Sequence, residues 1–222
     1  MLSNILPKIY NPEHHQKSNN YFYLLIVLLL VLLLPLIIEL IPAYQSLIST
    51  ILFNGTLIVG VYICTNSRLE LFIGLLLGFF AWLLLWLSYA KSTDNLYHML
   101  SSLTMLLFFS YLCFELFKSL KKYSKLNAKI IYASICGFLL LGFIGGELIH
   151  LLELFRPNSF SQPTKGFFDF IYYSFVSLTT MGYGDIVPLT PAAKSLSIFI
   201  GVTGQMYLAI IVAIMVGKYI KN

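Results

Sequence analysis

The chain has 222 residues, of which 59% are hydrophobic and only 10% are charged, and its formal net charge is +5. A soluble domain of this length cannot hide so much apolar surface, so the composition excludes an ordinary soluble protein. Repeated apolar runs of about 20 residues match the length of a membrane-spanning helix, and the short alternating segments of a β-barrel are not seen. The positive charge is modest and clustered, which indicates a role in membrane topology and lipid contact and not in nucleic-acid binding. We therefore expect an all-α, multi-pass integral membrane protein.

The polar residues 1–20 are expected to form a tail before the first apolar run, residues 21–38. That run is too long for the core of a cleaved signal and lacks a cleavage site with small residues. The three cysteines lie in or at the end of apolar runs and have no C-x-x-C spacing, so we expect neither a disulfide nor a metal site. They are Cys64, Cys113 and Cys136.

Six apolar segments of membrane-spanning length are predicted. In the first, Pro35 is expected to kink the helix near its outer end. The other five lie near residues 43–63, 69–90, 96–117, 129–154 and 192–220.

Residues 118–128, between the fourth and fifth apolar segments, are interpreted as a basic cytoplasmic linker. Four lysines lie in it, and a fifth opens the next segment. Lysines at a charged membrane surface contribute roughly 1 kcal/mol each to the binding of anionic headgroups. They also fix topology without binding any particular lipid, and the sequence leaves both roles open. The five are Lys118, Lys121, Lys122, Lys125 and Lys129.

The segment Thr-Thr-Met-Gly-Tyr-Gly-Asp, residues 179–185, follows a short amphipathic run, residues 167–178, and precedes the last apolar segment. Backbone carbonyls that point the same way can form an oxygen cage for a dehydrated potassium ion. Such a cage requires alternating backbone conformations, and Gly182 and Gly184 reach positive φ without steric cost. The alternative interpretation is a polar turn between two membrane helices.

With their helical flanks, these residues resemble the signature filter of the potassium channel family. The resemblance implies that five residues bind potassium ions, with methionine where the family more often has valine. Each chain contributes one wall of such a filter, so four chains must meet on an axis. The five filter residues are Thr180, Met181, Gly182, Tyr183 and Gly184.

The resemblance also implies a support for the filter. Thr179 and Asp185 flank it, and Tyr172 and Tyr173 occupy the positions of the family's aromatic pair, where they are expected to bond Asp185 or the rear of the filter. Asp185 is interpreted as a ring of four carboxylates at the outer mouth, as a structural acceptor, or as both. Val176 stands where some members have a glutamate, so slow filter inactivation is not carried over.

Residues 129–222 are accordingly interpreted as a pore domain of outer helix, exposed turret (155–166), pore helix, filter and inner helix. Gly204, with Gly201 as a second candidate, resembles the family's gating hinge, although a glycine here also permits close packing. The candidate cavity-lining residues are Gln205, Leu208 and Val212, with a lower gate near residues 213–217. We expect no cytoplasmic nucleotide- or calcium-binding domain after the inner helix.

Six segments with a pore loop before the last resemble the architecture of voltage-gated channels. Their fourth helix carries regularly spaced Arg or Lys residues, but residues 96–117 contain none. Residues 21–117 are therefore interpreted as a peripheral domain without gating charges. With the N-terminus inside, ten of the 14 Lys and Arg residues lie on the cytoplasmic side, as the positive-inside rule requires.

The sequence thus predicts a homotetrameric, potassium-selective channel for passive transport. We expect it in the cell membrane with both termini cytoplasmic, with no enzymatic activity and no cofactor besides the potassium ions in the filter. A non-selective cation channel and a potassium transporter subunit are the alternatives. In the outer part of the fifth segment, Glu147 and His150 are spaced to pair on one helix face, and His150 is a candidate sensor of external pH.

Overall fold

The computed structural model describes residues 12–40, 45–63, 68–90, 95–122, 127–161 and 167–220. These residues form eight helices and one isolated β-bridge. The helices are α1 (Pro12–Leu32), α2 (Leu34–Leu40), α3 (Gln45–Ile63), α4 (Arg68–Ala90), α5 (Asn95–Lys122), α6 (Ala128–Phe155), α7 (Phe167–Leu178) and α8 (Pro191–Tyr219). Helix α1 thus begins inside the stretch expected to be a polar tail.

The first apolar segment is broken at Leu33, where its two helical parts meet at an angle of 52°. Pro35 has no backbone N–H, and its ring collides with the carbonyl of the residue four positions earlier, so a regular helix cannot continue through it. The kink predicted from Pro35 is confirmed, and the break lies two residues before the proline.

Among the described residues, four helices are long and apolar enough to cross a membrane, and a fifth counts if α1 and α2 together form one bent span. The four are α4, α5, α6 and α8. The described apolar part of α3, Ile51–Tyr62, is shorter than a span, as is that of α7. The criterion of length and hydropathy therefore gives four or five spans where the sequence pattern predicts six.

Helix α5 continues to Lys122, so the first part of the predicted basic linker is helical. Lys118 forms an ion pair with Glu70 of α4 and lies 3.6 Å from Glu115. Lys129 is buried near the start of α6. Lys125 and the side chains of Lys121 and Lys122 lie outside the described residues. Two of the five predicted lipid-contacting lysines are thus already engaged within the protein.

Helix α6 is the centre of the fold, because α1, α5, α7 and α8 all pack against it. Close approach depends on small residues on its surface: a Cβ atom built at Gly142 would lie 2.3 Å from the Phe175 ring of α7. On the α5 side, Phe109 packs on Phe143 with ring centroids 5.8 Å apart. The peripheral helices and α7 are therefore attached to the same central helix.

Candidate selectivity filter

The backbone conformation alternates along the segment from Thr180 to Gly184. The φ angle is +59° at Thr180, +58° at Gly182 and +79° at Gly184, whereas Met181 and Tyr183 between them do not have positive φ. Alternation between left-handed and ordinary conformations turns successive carbonyls towards one side of the chain, which is the arrangement that a carbonyl cage for a cation requires.

Thr180 is an unusual residue to hold at positive φ, because its side chain is β-branched. A residue in such a region costs of order 1–3 kcal/mol and persists only where its surroundings enforce it. Two hydrogen bonds provide that enforcement: Thr180 N–H donates to the Ser177 carbonyl at 3.1 Å, and Gly182 N–H donates to the Val176 carbonyl at 3.4 Å. Sequence reasoning assigned positive φ to the glycines alone and missed this strained threonine.

The filter segment begins where α7 ends, and α7 has the bounds that its amphipathic pattern predicts. The Thr179 hydroxyl donates to the Phe175 carbonyl at 2.6 Å and closes the last turn. Ser174, fully buried, donates to the Gly142 carbonyl of α6 at 2.7 Å and fixes the helix against the centre of the fold. Sequence reasoning missed Ser174, although a serine among the apolar residues of a short helix was the available signal.

The two adjacent tyrosines of α7 bond to different partners. The Tyr172 hydroxyl donates to Asp185 Oδ2 at 2.7 Å, beyond the filter, whereas the Tyr173 hydroxyl pairs with Ser197 Oγ of α8 at 2.7 Å. The hydrogen bond from Tyr172 lowers the pKa of Asp185, and the same bond raises the pKa of Tyr172. One tyrosine therefore holds the residue that follows the candidate filter, and the other holds α8.

The predicted turret, residues 155–166, is not uniformly exposed: Ser159 and Phe160 are buried, which corrects the prediction. The Ser159 carbonyl accepts the N–H of Leu189, in the segment after the filter, at 2.8 Å. Phe160 forms a bridge with Pro188 and packs edge-on against Tyr173. Residues 162–166 lie outside the described part of the chain.

Glu153 supports this turn from α6. Its carboxylate accepts the backbone N–H groups of Asn158 at 2.7 Å and Ser159 at 3.1 Å. The turn is therefore tied both to α6 and to the strand-like segment beyond the filter. The sequence offered only proline content here, which predicts a break in the helix and does not predict these contacts.

Helix α8 runs without interruption past the filter. A Cβ atom at Gly204 would lie 2.2 Å from the Leu178 carbonyl at the end of α7, and one at Gly201 would lie 3.4 Å from the Ser177 carbonyl. Two roles were considered for Gly204, and this geometry supports the close packing of α8 on the end of α7. The hinge role stays a prediction.

Gln205 lies beside the start of the filter. Its Nε2 is 3.4 Å from Thr180 Oγ1, to which it donates a hydrogen bond. Gln205, Leu208 and Val212, the candidate cavity-lining residues, are all exposed in the single chain.

The side chains of the filter are themselves open: Met181 is 62% exposed and Tyr183 is 68% exposed. Both line a cavity of about 370 Å³ between the filter, the outer face of α7 and the bend between α1 and α2. The rest of its lining is apolar or aromatic except for Thr179. Met181 therefore lies behind the filter segment, facing the space that a bracing shell would fill.

The described residues contain no group of three or more His, Cys, Asp or Glu side chains placed to hold a metal ion. Cys113 and Cys136 are free thiols buried in the core, and Cys64 lies outside the described residues.

Comparison with known proteins bears on the same part of the chain. Residues 135–221 match the family model described as "Ion channel". A voltage-gated potassium channel of Aeropyrum pernix is 34% identical over 85 residues, which are 38% of this chain and 28% of that protein. A hyperpolarization-activated voltage-gated potassium channel of Methanocaldococcus jannaschii is 35% identical over 78 residues, 35% of each chain. Two-pore potassium channel 4 of Arabidopsis thaliana is 43% identical over 56 residues, 25% of this chain and 20% of that protein.

No solved structure matches this chain. The chain spans about a third or less of the length of these three curated relatives. The matched family residues nevertheless include most of α6, all of α7, the alternating segment and α8. These likenesses indicate a channel and not an enzyme. Residues 135–221 thus resemble the ion channel family, and the chain is similar there to potassium channels.

Proposed function

We propose that this protein is a homotetrameric, potassium-selective channel that carries potassium passively across a cell membrane. One observation carries the proposal: φ alternates in sign over Thr180–Gly184, at the end of a short helix packed on α6. Four copies of that segment around an axis would replace the water shell of a potassium ion with backbone oxygens. The filter residues are Thr180 to Gly184, and potassium is the only ion that the site needs to hold.

The exposed surface of the single chain supports the assembly. A filter that functions alone would have its walls covered, yet Met181 and Tyr183 are mostly exposed and nothing approaches a Cβ built at Gly182 or Gly184 within 4 Å. Helix α8 also exposes apolar side chains along its length, among them Phe199, Val202 and Met206. Neighbouring copies of the chain would cover both surfaces.

The membrane arrangement we propose has six spans, with both termini cytoplasmic, and a re-entrant α7. In it α1 and α2 form one bent span, α3 is a span, and the filter opens outwards at Asp185. The distribution of Lys and Arg residues supports this orientation. We also propose that Asp185 attracts cations at the outer mouth while it accepts the Tyr172 hydrogen bond.

Gating by membrane potential is not part of the proposal. Two of the relatives are named as voltage-gated, but the matched family region, residues 135–221, leaves out the peripheral helices. The predicted fourth span contains no Lys or Arg between residues 96 and 117. Without mobile charge, the membrane potential does no work on this helix.

A flux assay in liposomes tests selectivity directly. Purified protein is expected to pass potassium and rubidium, to exclude sodium and to be blocked by barium. Gly182→Ala is expected to lose this discrimination, because the left-handed conformation costs an alanine roughly 1–2 kcal/mol. Tyr183→Ala is expected to lose it as well, since the tyrosine would brace the filter from behind.

Gly55→Ala in α3 is the control for Gly182→Ala. A Cβ at Gly55 would meet Val27 at an ordinary 3.7 Å and one at Gly182 meets no atom within 4 Å, but only Gly182 has positive φ. The control should keep its preference for potassium over sodium. Equal sodium and potassium flux in the wild type would support the non-selective cation channel, and saturable ion-coupled flux would support a transporter subunit. Full selectivity in Gly182→Ala and Tyr183→Ala would show that the filter is assigned to the wrong residues.

A further inference from the structure

Two carboxyl groups and one lysine lie close together where α4 begins and α5 ends. Lys118, near the end of α5, forms an ion pair with Glu70 in the first turn of α4. Its Nζ also lies 3.6 Å from Oε1 of Glu115, which is three residues earlier on α5. One ammonium group is therefore shared by two carboxyl groups. If all three groups are ionised, the cluster has an excess of one negative charge.

The excess charge falls on a buried side chain. The side chain of Glu115 is 3% exposed, whereas that of Glu70 is 16% exposed and that of Lys118 is 52% exposed. The Oε2 atom of Glu115 is buried and has no hydrogen-bond partner among the described residues. A buried carboxylate is stable when it is paired and fully hydrogen-bonded, but Glu115 shares its lysine and has one oxygen without a partner. An ionised Glu115 is therefore costly.

One additional proton removes the excess charge. With that proton on Glu115, its side chain is neutral, Lys118 pairs with Glu70, and the charges of the cluster sum to zero. Without it, two carboxylates compete for one ammonium group, and each disfavours the ionisation of the other. The two states differ by one proton, which must come from the solvent. Glu115 takes it in preference to Glu70, because Glu115 is more deeply buried and lies further from Nζ.

The neighbouring groups of α4 and α5 leave this charge balance unchanged. Arg68 is exposed and is two residues before Glu70, so it lies on roughly the opposite side of α4. The Tyr111 hydroxyl, one turn before Glu115, donates to the backbone carbonyl of Glu70 at 2.8 Å. The electrostatic interactions of Glu115 are with Glu70 and Lys118.

Among the described residues, α6 and α8 each bring one lysine to this end of the bundle. Lys129 is buried near the start of α6. Lys218, in the last turn of α8, donates from Nζ to the Leu120 carbonyl at 2.5 Å, so its charge lies beside the end of α5. The end of α5 is therefore joined to α4 through Lys118 and to α8 through Lys218.

We propose that Glu115, together with Glu70 and Lys118, forms a binding site for one proton. The proton reaches the site beside the half-exposed Lys118, from the solution that the proposed topology places in the cytoplasm. Its binding leaves Lys118 to Glu70 alone, so the tie between α4 and α5 is firmest when the site is occupied. Proton binding here does not require potassium conduction, so a protein that passes no potassium would still titrate at this site.

Infrared spectroscopy of the protein in nanodiscs tests proton binding directly. At pH 6 exposed carboxyl groups are ionised, because their ordinary pKa values are about 4. The wild type should nevertheless show the band of a protonated carboxyl group that Glu115→Gln lacks. Identical spectra of the wild type and Glu115→Gln at pH 6 would overturn the site.

Glu147→Gln is the matched control for that band. Glu147 is 2% exposed and also has a buried Oε2 atom without a partner among the described residues, but it lies on α6. His150, which the sequence places on the same face of α6, has its Nδ1 2.7 Å from the Ser102 hydroxyl of α5. The control therefore separates burial alone from the cluster, and Glu147→Gln should keep the band of Glu115.

Two variants of the neighbouring charges should move the titration midpoint of the Glu115 band in opposite directions. Glu70→Gln removes a negative charge and leaves Lys118 to Glu115, so the midpoint should fall by about one pH unit or more. Lys118→Met removes the positive charge, so the midpoint should rise by about one pH unit or more. A midpoint that stays in place or moves the other way in either variant would show that the three groups do not form one site.

Thermal unfolding gives a second measurement of the bound proton. The stabilisation that the proton provides is complete below the ordinary glutamate pKa and is lost as pH rises through the midpoint of the folded site. Glu115→Gln has no proton to lose, so its unfolding temperature should rise relative to the wild type between pH 4 and 8.

Glu39→Gln is the control for unfolding, because it removes an exposed carboxyl group of α2. Its difference from the wild type should be similar at every pH in this range. A difference between Glu115→Gln and the wild type that does not change with pH would overturn the proton site. Failure of Glu115→Gln to fold would overturn it as well, since glutamine has the shape and the charge of the protonated side chain.

Discussion

Thr180 differs from the other residues of the filter segment that have positive φ, because it is not a glycine. Its backbone is held by the N–H bonds to the end of α7, and its hydroxyl accepts a bond from Gln205. A glycine would adopt this conformation without strain but would remove the hydroxyl at the inner end of the filter. In the proposed filter, the strain at Thr180 would be the cost of placing a hydroxyl oxygen at its inner end.

The Tyr172–Asp185 hydrogen bond gives a prediction about acid. The hydroxyl of Tyr172 lowers the pKa of Asp185, so the stabilisation is complete above the ordinary aspartate pKa and is lost as pH falls through the lowered value. Tyr172→Phe removes the donor, and the carboxyl should then take up its proton at a higher pH than in the wild type. Thermal unfolding followed between pH 2.5 and 6 measures this shift.

The control for that measurement is Tyr173→Phe, because the hydroxyl of Tyr173 bonds Ser197 and not Asp185. Its unfolding temperature should change by a similar amount at every pH in this range. An acid transition that is identical in the wild type and Tyr172→Phe would mean that the bond is absent from the assembled protein.

At the scale of elements, the end of α7 and the middle of α8 lie in close contact at Gly204. The Gly204 position has no room for a side chain, since the Cβ would lie 2.2 Å from a backbone carbonyl that cannot rotate away. Any substitution there must push the two helices apart. The candidate filter segment follows directly on this turn of α7, so its geometry depends on the contact between α7 and α8.

Gly204→Ala is accordingly expected to destabilise the protein by about 1–3 kcal/mol, the usual cost of overpacking. Gly55→Ala in α3 is the control, because its Cβ would meet Val27 at an ordinary 3.7 Å and alanine favours a helix. Denaturant unfolding in detergent separates the two variants. Gly204→Ala with wild-type stability would mean that α7 and α8 are further apart than described here.

The predictability of these elements follows from the range of the interactions that make them. Local patterns were sufficient to predict α7 and the break near Pro35, because amphipathic spacing and a missing backbone N–H act within one or two helical turns. The buried turn at Ser159 and Phe160 depends on residues about 30 positions later, and no local pattern carries that information. The positive φ of Thr180 was missed for a different reason: a β-branched residue disfavours it, and the hydrogen bonds to the Ser177 and Val176 carbonyls that enforce it leave no mark in the residue pattern.

For the whole molecule, the absence of Lys and Arg from residues 96–117 predicts how current should depend on voltage. Each elementary charge that crosses 100 mV contributes about 2.3 kcal/mol, and three to four per subunit give the steep opening of voltage-gated channels. Single-channel recordings in symmetric potassium should show an open probability that changes by less than threefold over 100 mV. A steep sigmoidal dependence would require gating charge elsewhere in the chain.

The assembly is tested by comparing two exposed aromatic residues. Phe199 on α8 is 62% exposed and Phe79 on α4 is 56% exposed in the single chain. If α8 lines the contacts between copies and α4 faces lipid, Phe199→Asn should shift the protein from tetramer to smaller species, and Phe79→Asn should not. Native mass spectrometry in detergent gives the masses. Equal behaviour of the two variants would place the subunit interface elsewhere.

Only five residues separate Lys122 at the end of α5 from Ala128 at the start of α6, and the two helices pack on each other within one chain. The six Cα–Cα steps from Lys122 to Ala128 reach at most about 22 Å. In the proposed tetramer, each copy would therefore keep its peripheral helices beside its own pore region and would not exchange them with a neighbour. In a complex of wild-type and mutant copies, a mutation in the peripheral helices of one copy would first affect the part of the proposed pore that this copy forms.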